Sequence, residues 1–276
     1  MSINATLRRL VISSPQVSRL ADFYTRAFDY QEVLKADEAR CEAEDRSLWI
    51  RPGSANQLLE SHFVFPDVTS LEHYAVRLQR LDTACRRVES GDGISVAVED
   101  PEGRLICFSA ARAAAAGDQK PAATRPGRLQ HYAVRTPGPQ ALVDFYANAL
   151  GFSVSDFVRD DAGNLTAAFL RTDAHHHSLA IFRSSECRLD HFSCETRDWS
   201  ALRDWADHMA SCSIRLAWGV GRHGPGNDTF FMVLDPDGNL AEISSDLELC
   251  AEDRPVGTWK HSMETLNQWG VAIMRS

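Results

Sequence analysis

The chain repeats itself, and few folds accommodate a duplicated unit. Residues 7–30 align without a gap on residues 129–152. Identical positions are Leu7/Leu129, Pro15/Pro137, Leu20/Leu142, the Asp-Phe-Tyr of 22–24 and 144–146, and Ala27/Ala149; chance at average composition gives about one or two. The segments that close each half also match, Asp100-Pro-Glu-Gly-Arg-Leu105 against Asp235-Pro-Asp-Gly-Asn-Leu240. A shorter match is nested inside the longer one, His73-Tyr-Ala-Val-Arg77 against His131-Tyr-Ala-Val-Arg135. Four similar units, two in each half, is the economical reading.

Each unit opens with a short alternating apolar strand, then a turn, then an amphipathic helix. In the third unit Leu142, Phe145, Tyr146, Ala149 and Leu150 share one helical face after the Thr136-Pro-Gly-Pro start signal; in the fourth, Leu202, Trp205, Ala206 and Met209 do the same. Short β runs follow at Leu165–Arg171, Ser178–Arg183 and Phe230–Leu234, and the Asp-Pro-Asp-Gly turn at 235–238 separates two hairpin strands. A βαβββ unit cannot bury its sheet alone. The fold class expected is therefore α+β, with two domains, each of two paired βαβββ modules forming an open barrel-like sheet around a cleft, helices outside. The stretch after Ala110 is small and Pro-containing, without aromatic or branched apolar residues, and reads as a linker. The expected divisions are an N-terminal domain at 1–112, a linker at 113–126, a C-terminal domain at 127–248, and a tail at 249–276 packed near the cleft.

Composition narrows the function classes. With 276 residues, 44% hydrophobic and 24% charged, a sizeable core is affordable. A net charge of -9 without a basic block repels a phosphate backbone, so nucleic acid is not an expected partner. No apolar run approaches the roughly 18–20 residues that cross a bilayer, and the N-terminus lacks a signal-peptide core; a soluble, cytoplasmic protein without membrane partners is expected. The 7 cysteines are scattered without a Cys-x-x-Cys pair and read as reduced and structural.

Three metal-capable residues occupy repeated slots in the C-terminal half: His131 on the opening strand of unit three, His191 on that of unit four, and Glu242 on the last strand of unit four. Two histidines and a carboxylate on neighbouring strands can bind one face of an octahedral divalent ion and leave positions for substrate and O2. This facial triad is associated with non-haem Fe(II), and Mn(II) fits the same donors. Any one of the three alone would read as a satisfied core or surface group; their joint placement carries the argument. The matching N-terminal slots read as Arg9, His73 and Cys107. A guanidinium cannot ligate and repels a cation, so no metal is expected there. In Ala174-His-His-His-Ser-Leu-Ala180, strand alternation sends His175, His177, Leu179 and Ile181 to one face and His176 to the other. His223 lies among Gly221, Gly224, Pro225 and Gly226, and Asp228 is a candidate carboxylate partner for it.

Those residues carry a resemblance. The duplicated halves, ligands confined to the C-terminal half, and the run Gly221-Arg-His223, seven residues, Phe231-Met232, two residues, Asp235-Pro236-Asp-Gly238, three residues, Glu242 resemble the two-domain type I extradiol catechol dioxygenases of the vicinal oxygen chelate superfamily. The resemblance implies a metal-free N-terminal domain and a catalytic C-terminal one. It implies that His177, directly before Ser-Leu-Ala, faces the O2 position and that His223 hydrogen-bonds a substrate hydroxyl. The activity implied is Fe(II)-dependent ring opening of a catechol-type aromatic vicinal diol with both atoms of O2. A homo-oligomer is the default assembly for such enzymes.

One position departs from that pattern. The family's signature has a tyrosine where this chain has Met232, and a thioether is at best a weak acceptor. Loss of one acid/base group costs about 10²–10⁴-fold, or roughly 3–5 kcal/mol of barrier. Candidate substrate-lining residues are Trp218, Phe230, Met232 and the tail around Trp259 to Trp269. Two other functions stay open. One is a different metal-dependent enzyme of the superfamily, an isomerase or lyase, which has no use for His177 and His223 facing an open position. The other is a non-catalytic aromatic-ligand binding protein, which the absence of metal ligands in one half and Met232 in the other would suit.

Overall fold

The repeats are realised as four strand-helix-strand-strand-strand units. The computed structural model describes residues 2–35, 38–90, 93–111 and 125–274. Unit one is β1 (Thr6–Ser14), α1 (Val17–Phe28), β2 (Gln31–Lys35), β3 (Glu38–Ala43) and β4 (Arg46–Pro52). Unit two is β5 (Gln57–Phe65), α2 (Val68–Arg80), β6 (Arg86–Ser90), β7 (Gly93–Glu99) and β8 (Leu105–Ala110). Unit three is β9 (Arg128–Thr136), α3 (Pro139–Asp144), β10 (Ser153–Arg159), β11 (Leu165–Arg171) and β12 (Leu179–Arg183). Unit four is β13 (Arg188–Glu195), α4 (Trp199–Ser211), β14 (Leu216–Arg222), β15 (Thr229–Leu234) and β16 (Leu240–Ser245). A short β17 (Gly257–Lys260) and α5 (Met263–Leu266) follow.

The first two units share an eight-stranded sheet, ordered β2-β3-β4-β1-β5-β8-β7-β6, and the last two a nine-stranded sheet, β14-β15-β16-β13-β9-β12-β11-β10-β17. In each, the two opening strands meet antiparallel at the centre, β1 on β5 and β13 on β9. Neither sheet closes into a barrel, which agrees with the α+β, open-sheet expectation. Most of the expected linker, 113–124, lies outside the described residues. No helix among the described residues is long and apolar enough to cross a membrane.

The repeated motifs bind one half to the other. Asp100 and Asp235 each fold their turn by accepting backbone N–H bonds on Oδ1, from Glu102 and Arg104 at 2.9 and 3.0 Å and from Asp237 and Asn239 at 2.9 Å. The tyrosine of each Asp-Phe-Tyr motif then crosses over: Tyr24 donates to Asp235 Oδ2 at 2.7 Å and Tyr146 to Asp100 Oδ2 at 3.1 Å. One apolar core joins the helices to both sheets, including Tyr24, Phe28, Phe63, Phe108, Tyr132, Phe192 and Trp205. The opposite face of the second sheet carries two smaller clusters, one around Ala167, Phe169 and Phe182, the other around Trp218, Phe230 and Met232.

Two sequence expectations fail. His73 does not lie on a strand: His73 to Arg77 belongs to α2, where His73 is exposed and Leu71, Tyr74 and Leu78 face the core. Asp67 caps that helix, accepting from Ser70 N at 2.7 Å, which supplies a helix start ahead of the pentapeptide. The slot matching His191 is Glu60, since Glu60 stands opposite Leu105 as His191 stands opposite Leu240. The third-unit helix also departs from a single α-helix. It becomes a π-helical turn over Phe145–Ala149, which keeps Leu142, Tyr146 and Leu150 buried but leaves Phe145 and Ala149 half-buried.

Candidate metal centre

Strands β16, β13 and β9 are adjacent, and Ser193 on β13 stands opposite both Glu242 and His131. His191, two residues earlier, shares its face. The result is a buried trio, His131, His191 and Glu242, whose ligand atoms all lie within 4.8 Å of one another. His131 Nδ1 is hydrogen-bonded to Gln130 Oε1, and His191 Nδ1 donates to Asp190 Oδ1 at 2.6 Å. Asp190 is itself held by Arg135 Nε at 2.6 Å. Each ring therefore carries its proton on Nδ1 and turns a bare Nε2 inward. The two Nε2 atoms are 3.1 Å apart, and His131 Nε2 is 3.9 Å from Glu242 Oε1.

That arrangement is costly without a cation. Two facing lone pairs repel, and both Glu242 oxygens are fully buried with no hydrogen-bond partner. Burial works to raise the Glu242 carboxyl, but His223 and His191 outweigh it and hold it below its usual value, so the site bears a negative charge. Burial holds His131 well below the ordinary histidine value, which keeps it a ligand rather than an imidazolium. Metal–nitrogen bonds of about 2.1 Å set adjacent donors about 3 Å apart. The residues present fit a divalent metal.

His131 and His191 border a cavity whose other walls are His177, His223, Phe169, Ala180, Phe182, Pro225, Thr265 and Leu266. Among the described residues no lysine or arginine lines it. His177 faces it beside Ala180 and Phe182, not beside Leu179 and Ile181, which enter the core between sheet and helices. The alternation fails because β12 begins only at Leu179, so residues 172–178 are not strand. His176 is buried behind His177, and half-buried His175 pairs locally with Asp173.

His223 is anchored through Nδ1, which donates to Leu266 O at 2.6 Å, and its Nε2 lies 3.7 Å from Glu242 Oε2. Burial pulls its imidazole down, but the Glu242 and Asp228 carboxylates prevail and raise it above the ordinary value. Phe230 stacks on the ring, centroids 3.7 Å apart and 6° from parallel, and Trp218 meets Phe230 edge-on at 4.8 Å. Met232 stands opposite Glu242 on β16 and packs with Trp218, Phe230, Leu240 and Leu266. Trp218, Phe230 and Met232 thus back His223 and Glu242 and do not line the cavity. Asp228 is fully buried with neither oxygen hydrogen-bonded, and it joins His223 and Glu242 in a second tight cluster. Burial pushes its carboxyl up to about 7, against the lowering effect of His223.

Sequence reasoning missed the apolar walls Phe169, Ala180 and Phe182; of the tail around Trp259 to Trp269, expected to line the site, Thr265 and Leu266 reach the cavity. The first three could have been found from alternation within β11 and β12. Nothing local places α5 over the cavity.

The N-terminal counterpart is an ion-pair network. Arg9, Glu60 and Cys107 fill its slots with His62 at the place of Ser193, and the ligand atoms of Glu60, His62 and Cys107 also lie within 4.8 Å of one another. Arg9 Nη2 sits 2.7 Å from His62 Nδ1, Arg51 Nη1 2.5 Å from Glu60 Oε1, and His62 Nε2 2.8 Å from Glu60 Oε2. Guanidinium charge thus already balances the carboxylate.

Residues 128–243 match the model of the Glyoxalase/Bleomycin resistance protein/Dioxygenase superfamily. Metapyrocatechase 2 of Cupriavidus necator is 34% identical over 201 residues, 65% of this chain and 62% of that protein. The matches thus span less than two thirds of the length of the curated relatives. Among solved structures, the Mn(II)-bound glyoxalase from Novosphingobium aromaticivorans superposes with a TM-score of 0.79 at 21% identity, covering 99% of this chain and 93% of that one. Homoprotocatechuate 2,3-dioxygenase from Brevibacterium fuscum, in an anaerobic complex with 3,4-dihydroxyphenylacetate, gives 0.78 at 21%, covering 99% and 91%.

Proposed function

We propose that this chain, whose residues 128–243 match the model of the Glyoxalase/Bleomycin resistance protein/Dioxygenase superfamily, is an Fe(II)-dependent extradiol dioxygenase that opens a catechol-type ring with O2. The observation that carries this reading is the pair of bare Nε2 atoms 3.1 Å apart beside the unpartnered Glu242, at a cavity that His177 and His223 also border. The names of the curated relative and of the Brevibacterium fuscum enzyme support the same chemistry. Mn(II) suits the same donors.

His131, His191 and Glu242 would hold the metal, which supplies Lewis acidity toward the diol hydroxyls and a redox centre between diol and O2. The protein's own groups do the rest. Phe169, Ala180, Phe182 and Leu266 take the apolar ring and exclude water, strengthening every polar contact inside. His223 has committed Nδ1–H to Leu266 O, so Nε2 is the atom that faces a diol oxygen. Met232 offers no exchangeable proton, so proton handling rests on His223 and His177. A cavity without lysine or arginine suits a diol whose ring bears no acidic substituent.

The test is O2 uptake by anaerobically Fe(II)-loaded protein across a panel of catechols, some alkyl-substituted and some carrying a carboxylate. Uptake with appearance of a yellow ring-opened product, favouring uncharged catechols, is expected. Iron-loaded protein that consumes no O2 with any member would defeat the reading.

A further inference from the structure

Behind His177 stand two fully buried groups that the reaction above does not use, Asp156 and His176. His176 Nε2 lies 3.0 Å from Asp156 Oδ2, and His176 Nδ1 lies 3.0 Å from His177 Nδ1. The carboxylate accepts three further bonds, from Trp259 Nε1 at 2.8 Å, Arg254 Nη1 at 3.0 Å and Gly257 N at 3.1 Å. Burial acts to raise Asp156, but His176, Arg254 and Trp259 hold it down to about 2, so it stays ionised and can only accept.

The proton count then runs one way. Asp156 requires a proton on His176 Nε2. Asp156 is already held by Arg254, Trp259 and Gly257, and the fully buried His176, as a neutral ring that gives its one proton to this carboxylate, keeps a lone pair on Nδ1. Unlike the Nε2 atoms of His131 and His191, these two nitrogens belong to no cluster among the described residues that could hold a cation, so a proton must lie between the rings, and it belongs to His177 Nδ1. The backbone is pinned as well: Ser155 Oγ donates to His176 O at 2.5 Å and Gln130 Nε2 to His177 O.

We propose that Asp156 and His176 are positioning residues that fix the Nδ1–H tautomer of His177, so that this ring presents a bare Nε2 to the cavity. It meets an incoming diol as a hydrogen-bond acceptor. The consequence for turnover rests on the dioxygenase reading; the tautomer does not.

The experiment uses metal-free, ring-15N-histidine protein, in which two-bond proton–nitrogen correlations report which ring nitrogen is protonated; a His177→Gln variant assigns the signal. His177 is expected as the Nδ1–H form, giving way to a mixture in His176→Phe and Asp156→Asn. After Fe(II) loading, both variants should keep their iron and KM while kcat falls about 10–100-fold, the loss typical when a histidine's orienting partner is removed. Arg254→Met, which frees the tail from Asp156 but leaves His176, should keep the Nδ1–H signal. An Nε2–H form in the parent protein would overturn the proposal. So would an unchanged His177 signal in both variants, since Asp156 would then serve only the tail. The Nδ1–H form in a parent protein that opens no ring would support the tautomer while failing the dioxygenase reading.

Discussion

At the scale of single residues, the site is organised by where protons sit. His131 and His191 aim bare Nε2 atoms at one point because Gln130 and Asp190 take the protons on Nδ1. His131→Ala, His191→Ala and Glu242→Ala are each expected to lose bound iron in elemental analysis; stoichiometric iron in any of them would show that the trio is not the ligand set. Gln130→Leu leaves all three donors in place and should weaken iron binding about 10–100-fold in a chelator competition. The trio was legible in the sequence because its members occupy strand positions that the repeat makes comparable. The apolar wall at Phe169 was not, since it reaches the cavity only through packing, and the tail around Trp259 to Trp269 was legible as a segment but not as Thr265 and Leu266. Met232 stands opposite Glu242 within an apolar cluster. Met232→Tyr places a phenol in that cluster and away from the cavity, so a folded, iron-loaded variant should match its parent in kcat/KM on simple catechols; a rise of about tenfold or more would show that position 232 reaches the substrate.

Single elements show why the repeat could be read correctly at its ends and wrongly in its middle. The pentapeptide His-Tyr-Ala-Val-Arg is helix at 73–77 and strand at 131–135. Five residues do not choose between the two states. The Asp67 cap and the spacing of Leu71, Tyr74 and Leu78 decide the first, and pairing with β12 and β13 decides the second. The Asp-Phe-Tyr and Asp-Pro-x-Gly motifs were legible as repeats, yet their crossed hydrogen bonds were not, because the partners are 211 and 46 residues apart. Tyr24→Phe and Tyr146→Phe should each lower unfolding stability by about 1–3 kcal/mol, measured in urea. On β5, burial opposes ionisation of Glu60, but His62 above all, with Arg51, lowers its carboxyl to about 2. A folded-state value below the ordinary carboxylate value of about 4.3 means that its stabilisation is complete above that pH and lost as pH falls toward 2. Glu60→Gln should therefore flatten the stability profile between about pH 4.3 and 2, read as urea midpoints across that range.

On the scale of the whole molecule, duplication has produced two sheets of one topology with different contents. The first fills its slots with Arg9, Glu60 and Cys107 and pairs its carboxylate with Arg51 and His62; the second leaves two facing imidazole nitrogens and a carboxylate unsatisfied. The proposed chemistry therefore falls to one half, and the crossed tyrosines tie the other half to it. The segment after β16 completes the site: Leu266 O anchors His223, Thr265 and Leu266 border the cavity, and Trp259 and Arg254 reach Asp156. The most direct measurement of the central claim is a reaction of Fe(II)-loaded protein with an uncharged catechol under ¹⁸O2, followed by mass spectrometry of the product. The structure predicts a ring-opened product carrying two labelled oxygens before exchange with water. An iron-replete protein that returns the diol intact, or converts it to a product without label, would contradict it.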